Sequence, residues 1–250
     1  MGKPTYELLN RSKERWALIR RSDKPNLRIA IFVHGFMGNY LDAWGHLPDL
    51  LKRNAGADSD FLNWDFLFLG YSSKQISTYL DIAVLILSEW RKAAKGDSPF
   101  DHRYQKVALF GHSLGTLGIR QALCARFKQS SHFSSAVHSI TLFGTPLNGS
   151  PLALFARFYK IADALKPANP QLRMLRVWAE GVFDRDPWPA AKVVLGQGDW
   201  VVGQSFSELV QWPGDEQPVD QKAFLDHSDL SKPDAWTNCA VTSYIRSALR

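Results

Sequence analysis

The run Lys106-Val107-Ala108-Leu109-Phe110-Gly111-His112-Ser113-Leu114-Gly115 joins two kinds of pattern. Lys106 to Phe110 reads as a buried strand ended by a glycine. An apolar helical pattern then runs from Leu114 to Phe127. Between them, Gly111 to Gly115 fits G-x-S-x-G in the context that motif requires, with a strand before and a helix after. A chain that turns from strand to helix in so few residues must strain the backbone at Ser113. Side chains at 111 and 115 would collide with their neighbours. The expected product is an exposed hydroxyl at the positive end of a helix. A surface turn that happens to hold a serine is the bland alternative, and the flanking strand and helix argue against it.

Outward from this run the same alternation repeats. Arg28 to Val33 is strand-like and ends at His34-Gly35, and Phe61 to Leu69 is stopped by Gly70. Ile76 to Ala94 reads as a helix, because Ile76, Leu80, Ala83, Leu87 and Trp90 recur at steps of three and four. Ser139 to Phe143 and Lys192 to Leu195 are further strands, ended by Gly144 and Gly196. A last helix is expected from about Pro233 to Leu249, with proline in its first turn. Short apolar runs alternating with helices predict a mostly parallel central sheet with helices on both faces.

The segment 147–191 breaks the rhythm, since one crossover helix would suffice there. Leu152, Phe155, Phe158, Tyr159, Ala162 and Leu165 lie at helical spacing, Pro167 and Pro170 interrupt, and Gln171 to Ala179 resumes a helical pattern. It reads as a helical cap or lid inserted at the edge where such sheets keep their ligands, within a single domain spanning 1–250. The alternative is a longer crossover.

Composition narrows the class. With 45% hydrophobic and 22% charged residues the 250-residue chain is neither disordered nor collagen-like, and two cysteines cannot build a disulfide framework. The apolar run Ile82–Leu87 is far shorter than the ~20 residues of a membrane-spanning helix. The start Met1–Tyr6 matches neither a myristoylation signal nor a secretory one, so a cytoplasmic location is expected. Thirty basic against 24 acidic residues give a net charge of +6. The densest basic stretch, Arg11 to Arg28, is expected to be a solvated face, with a weak anionic membrane contact as the alternative. Nucleic-acid binding rests on charge alone and is not expected. No Cys-x-x-Cys or His-x-x-x-His occurs, so neither metal nor cofactor is expected.

A serine needs a base. His227, in the loop before the last helix, is the late histidine that suits that role in this kind of fold. His112 is expected to point away from the hydroxyl and His34 to be structural, while His46, His102, His132 and His138 carry no motif. An acid must orient the base, and it should lie between serine and histidine in the chain. Asp199, in the loop just after the strand ending at Gly196, fits best. Asp184 and Asp186 lie in the irregular segment, Asp215 and Asp220 lack a strand just before them, and Asp226 adjoins His227. Oxyanion donors are expected from the Leu114 N–H and from the loop His34-Gly35-Phe36-Met37-Gly38, with Phe36 first and Met37 behind it.

Together these stretches resemble the α/β-hydrolase superfamily. Gly144-Thr145-Pro146-Leu147-Asn148-Gly149-Ser150 is similar to a segment of serine esterases and lipases acting on lipid-like esters, as is the histidine-to-Lys232-Pro233 stretch. The resemblance implies a Ser113–His227–Asp199 triad and an oxyanion hole at Phe36 and Leu114 in a serine esterase, and the apolar pattern around Phe155, Phe158 and Tyr159 together with nine tryptophans suggests an apolar acyl group. A thioesterase, an amidase or a non-catalytic interaction protein on the same scaffold are the alternatives. The aromatic residues are expected mostly to fill the core.

Overall fold

The computed structural model describes residues 4–11, 15–126, 132–154, 156, 158–167, 169–183, 191–196, 199, 201–202, 219–222 and 225–250. Lys13, Phe155, Asp184, Asp186 and Asp215 lie outside the described residues.

Among the described residues eight strands form one sheet: β1 (Tyr6–Arg11), β2 (Trp16–Arg21), β3 (Arg28–Val33), β4 (Trp64–Leu69), β5 (Lys106–His112), β6 (Val137–Phe143), β7 (Ala191–Gly196) and β8 (Val219–Lys222). Their order is β1-β2-β4-β3-β5-β6-β7-β8. Pairing is parallel from β4 through β8, and β1 and β2 add an antiparallel edge. The described helices of eight or more residues are α1 (Leu47–Asn54), α2 (Tyr79–Lys95), α3 (Leu114–Arg126), α6 (Pro170–Phe183) and α7 (Ala240–Leu249); between them come the short α4 (His132–Ala136) and α5 (Lys160–Ala164).

The period of two along each strand builds the two layers. Ile29, Ile31 and Val33 of β3 pack with α2 and α3 on one face, while Ala30 and Phe32 pack with α1 and α7 on the other. Phe32 is the hub of the second layer. Its ring stacks on Phe110 at 4.6 Å and on Phe68 at 4.8 Å, and meets Trp44 edge-on at 5.1 Å. In-register pairing of β3 with β4 and β5 places those three phenylalanines side by side.

Four differences from the sequence pattern have local causes. First, α2 begins at Tyr79 rather than Ile76, because Thr78 and Asp81 form a capping box there. Second, α7 begins at Ala240 rather than Pro233. Asn238 has a left-handed φ of 59° and Cys239 is extended, so no helix can run through them. Third, the apolar spacing from Leu152 to Leu165 is not one helix. It divides into a 3-10 turn at Pro151–Leu154 and the five-residue α5. Gly149, at φ 84°, turns the chain so that Ser150 N–H donates to Leu165 O at 2.7 Å. Ile161, Ala164, Leu165, Leu172 and Leu175 are buried in the same cluster as α2 and α3. Fourth, much of the basic stretch is not a free solvated face. Arg20 pairs with Glu7 at 2.7 Å and with Asp101, Arg21 pairs with Asp23, and Arg28 lies over the Trp64 ring at 5.6 Å. Among the described residues no helix is long and apolar enough to cross a membrane.

His34 secures the end of β3. It is fully buried, its Nε2 accepts the Tyr71 N–H at 3.1 Å, and its Nδ1 lies 2.8 Å from Gly35 O. Since a carbonyl only accepts, Nδ1 carries the proton. Burial pushes its pKa down to about 4.

Phe32→Ala is expected to destabilise the fold by about 3–5 kcal/mol, read as a lower urea midpoint. His34 gives the stability a pH dependence. An unfolded histidine takes up its proton near 6.5, whereas the folded one does so only near 4. Stability should therefore fall as pH drops from 6.5 to 4, by up to about 1.4 kcal/mol per pH unit from this residue. Urea titrations of wild type and His34→Gln across that window should show a shallower slope in the variant; equal slopes would remove the assignment.

Candidate functional site

The carboxyl ends of β3, β5, β6 and β7 meet at one edge of the sheet, and the residues singled out from the sequence gather there. Ser113 follows β5 directly and has a left-handed φ of 51°. Its N–H donates to Phe143 O at 2.8 Å, and its carbonyl accepts from the N–H and hydroxyl of Thr116 at 3.0 and 2.6 Å. The glycines of the motif are needed for close approach. A Cβ on Gly115 would stand 2.3 Å from Val33 O, and one on Gly111 would stand 2.8 Å from Ile119 Cδ1. Ser113 is 8% exposed as a whole residue.

His227 and Asp199 are joined. His227 Nδ1 lies 2.8 Å from Asp199 Oδ2, with the carboxylate 2% exposed. Asp199 Oδ1 accepts from the N–H groups of Val201 and Val202 at 3.1 and 3.3 Å, so both carboxylate oxygens are used. Two glycines make room for this pair. A Cβ on Gly144 would come within 3.0 Å of the His227 ring, and one on Gly196 within 2.4 Å of Leu225 O. His227 Nε2 is buried and has no hydrogen-bond partner among the described residues, and no hydrogen bond joins it to Ser113 Oγ. Such bonds often tighten only when substrate is bound.

His112 has a role the sequence did not reveal. Its ring lies 4.9 Å from that of His227, and its Nε2 donates to the His227 carbonyl at 2.7 Å. Burial, aided by the charge of the neighbouring imidazole, pushes its pKa down to about 3. A neutral ring with the proton on Nε2 thus holds the His227 loop against the elbow.

The loop after β3 closes the other side. A Cβ on Gly35 would stand 2.7 Å from Ser113 Cβ, which places this loop against the serine. Met37 has φ 57° and its N–H donates to Ser73 Oγ at 2.8 Å. The Met37 amide is therefore occupied, whereas those of Phe36 and Leu114 have no hydrogen-bond partner among the described residues. The Phe36 ring meets Tyr159 edge-on at 5.0 Å, so the 147–191 segment reaches this loop. Ser73 and Tyr71 also escaped the sequence reading. The signal was there in Gly70, which ends β4 beside β3 and so delivers the next loop to the same edge.

Other candidates are placed elsewhere. Asp226 accepts from Ser228 and Asp229, capping the 3-10 turn Asp229–Ser231. Asp220 lies within β8, paired with Val194. His102 Nε2 bonds Asn26 O, His138 lies beside Trp64, and His46 precedes α1.

Residues 23–150, about half of the 250-residue chain, match the family described as "Putative serine esterase (DUF676)". No curated protein matches. Among solved structures, phospholipase PlaB from Legionella pneumophila, in complex with thio-NAD, is similar at TM-score 0.65 and 18% identity, over 89% of this chain and 58% of PlaB. This chain thus spans less than two thirds of that protein. Lipase BlEst2 from Bacillus licheniformis matches at TM-score 0.59 and 14% identity, covering 86% of this chain and 92% of the lipase. Est1E from Butyrivibrio proteoclasticus matches at TM-score 0.55 and 13% identity, covering 98% and 96%. At these identities the likeness speaks for the fold, and the family match speaks for the chemistry. The chain belongs to the family described as "Putative serine esterase (DUF676)" and has the α/β-hydrolase fold.

Proposed function

We propose that Ser113, His227 and Asp199 form the catalytic triad of a carboxylesterase, with the Phe36 and Leu114 amides as its oxyanion hole. One observation carries the reading. A buried carboxylate holds His227 Nδ1 at 2.8 Å, leaving an unpartnered Nε2 at the strand edge where the strained Ser113 lies. In this mechanism Ser113 Oγ attacks the ester carbonyl carbon and His227 Nε2 takes its proton. The carbonyl oxygen gains negative charge and is met by the two amide donors. The tetrahedral intermediate collapses to an acyl-enzyme as His227 returns the proton to the leaving alcohol. Water, deprotonated by His227, then releases the acid and restores the serine. Asp199 fixes the tautomer and stabilises the imidazolium.

An apolar acyl group is supported by the surroundings of Phe36. Phe158 is 87% exposed next to Tyr159, and Met37 is 65% exposed on the oxyanion loop. Exposed apolar side chains on the loop against Ser113 and next to the tyrosine that touches it suit a lipid-like acyl chain. The names of two similar structures, a phospholipase and a lipase, agree. We read residues 147–191 as a cap bordering this site, on the strength of the Phe36–Tyr159 contact. The two cysteines, both free and buried, suit a reducing compartment such as the cytoplasm.

Ser113→Ala should abolish labelling by a fluorophosphonate probe and esterase activity together. His227→Ala should lose activity about as severely, because the residues act as a unit, and Asp199→Asn somewhat less. Persistent labelling of Ser113→Ala would overturn the nucleophile. Rates on p-nitrophenyl esters of rising chain length should rise before levelling; a flat series would remove the apolar acyl preference. Matched thioesters and amides should be the poorer substrates.

A further inference from the structure

Beside the oxyanion loop lies a cavity of about 440 Å³ that the triad does not use. Its walls are the loop after β3, the loop between β4 and α2, Tyr159 of the 147–191 segment, and Arg15 just before β2. Among the described residues two cations line it, Arg15 just before β2 and Lys74 from the β4–α2 loop, and no carboxylate does. We infer that this cavity is a subsite for a phosphate-type anionic group carried by the ester substrate, bound by Arg15 and Lys74. The inference deepens the esterase reading and rests on it.

The electrostatics favour an anion. A phosphate monoester carries close to two negative charges at neutral pH, and the cavity offers two positive ones. Lys74 is exposed, and neither it nor Arg15 forms an ion pair among the described residues. Other basic residues of the N-terminal stretch, Arg20 and Arg21, are already paired with acids. Arg15 donates through Nη1 to Gln75 Oε1 at 2.9 Å, which leaves the rest of its donor fork unengaged by that bond. Its backbone is pinned as well. Arg15 has a left-handed φ of 56° and its carbonyl accepts the Gly70 N–H at 2.8 Å. Ser72 and Ser73 also line the cavity, and Ser73 Oγ is the group that holds the Met37 amide. An anion seated here would lie one loop residue from the Phe36 amide. The volume suits a phosphoglycerol-sized group.

The test uses the full chain and a matched pair of short-chain substrates, hexanoyl-glycerol 3-phosphate and monohexanoylglycerol, assayed as monomers. The quantity read is the ratio of their kcat/KM values. Wild type should favour the phosphorylated ester about tenfold or more, with the preference shrinking as salt rises. Lys74→Met and Arg15→Gln should each lower the ratio about tenfold, while Arg15→Lys should keep much of it. A ratio near one in wild type, or one unmoved by both charge removals, overturns the subsite and leaves the esterase standing. A second arm separates a substrate group from free phosphate. Calorimetric titration of Ser113→Ala with glycerol 3-phosphate should show saturable binding that Lys74→Met weakens in the double variant. Binding of inorganic phosphate with a flat substrate ratio would assign the cavity to free phosphate and overturn the proposal. Should neither ester be turned over, the esterase reading fails, and the titration still decides the cavity.

Discussion

The backbone at Ser113 is the constraint on which the rest depends. A left-handed residue without glycine's freedom costs about 1–3 kcal/mol and persists only where its surroundings over-determine it. Here they do. The Ser113 N–H is bound to β6, the following glycine is pressed onto the carbonyls of Val33 and His34, and Gly35 lies against the serine's own Cβ. Three strands therefore have to be in register before this turn can form. The aromatic ladder through Phe32 supplies part of that register from the opposite face of the sheet, because it joins β4, β3 and β5.

The site also depends on histidines that stay uncharged. His34 and His112 flank the reactive edge, both buried, and both use one ring nitrogen to donate to a backbone carbonyl. Neither can compete for a proton near neutral pH, because burial has moved both far below that range. His227 differs in its partner. It faces the buried carboxylate of Asp199 instead of a backbone carbonyl.

Features set by a few adjacent residues were readable in the sequence. The elbow is local, the parallel strands β3 to β7 each have a glycine at or within two residues of their ends, and the loops carrying Asp199 and Phe36 follow those ends. The hairpin β1–β2 was not readable, because its six-residue strands mix arginine, glutamate and asparagine with apolar residues, and the pairing that settles those charges is long-range. The start of α7 was missed for the opposite reason. Pro233 is a good first-turn residue, yet the left-handed Asn238 lies between it and the helix. Within the site, the missed residues act through space. His112 grips a carbonyl 115 positions later in the chain, and Ser73 occupies an amide 36 positions earlier. No spacing rule links such pairs.

The seat of Gly35 has a consequence for anyone diversifying this loop to change substrate range. An alanine there would press on the serine and, at 3.2 Å, on the Nδ1 of His112. One substitution would thus crowd both the proposed nucleophile and the ring that holds the His227 loop. Position 37 is the tolerant neighbour: its side chain projects into solvent, and asparagine or glycine would suit its left-handed backbone. A library built on this loop should hold 35 constant and randomise at 37.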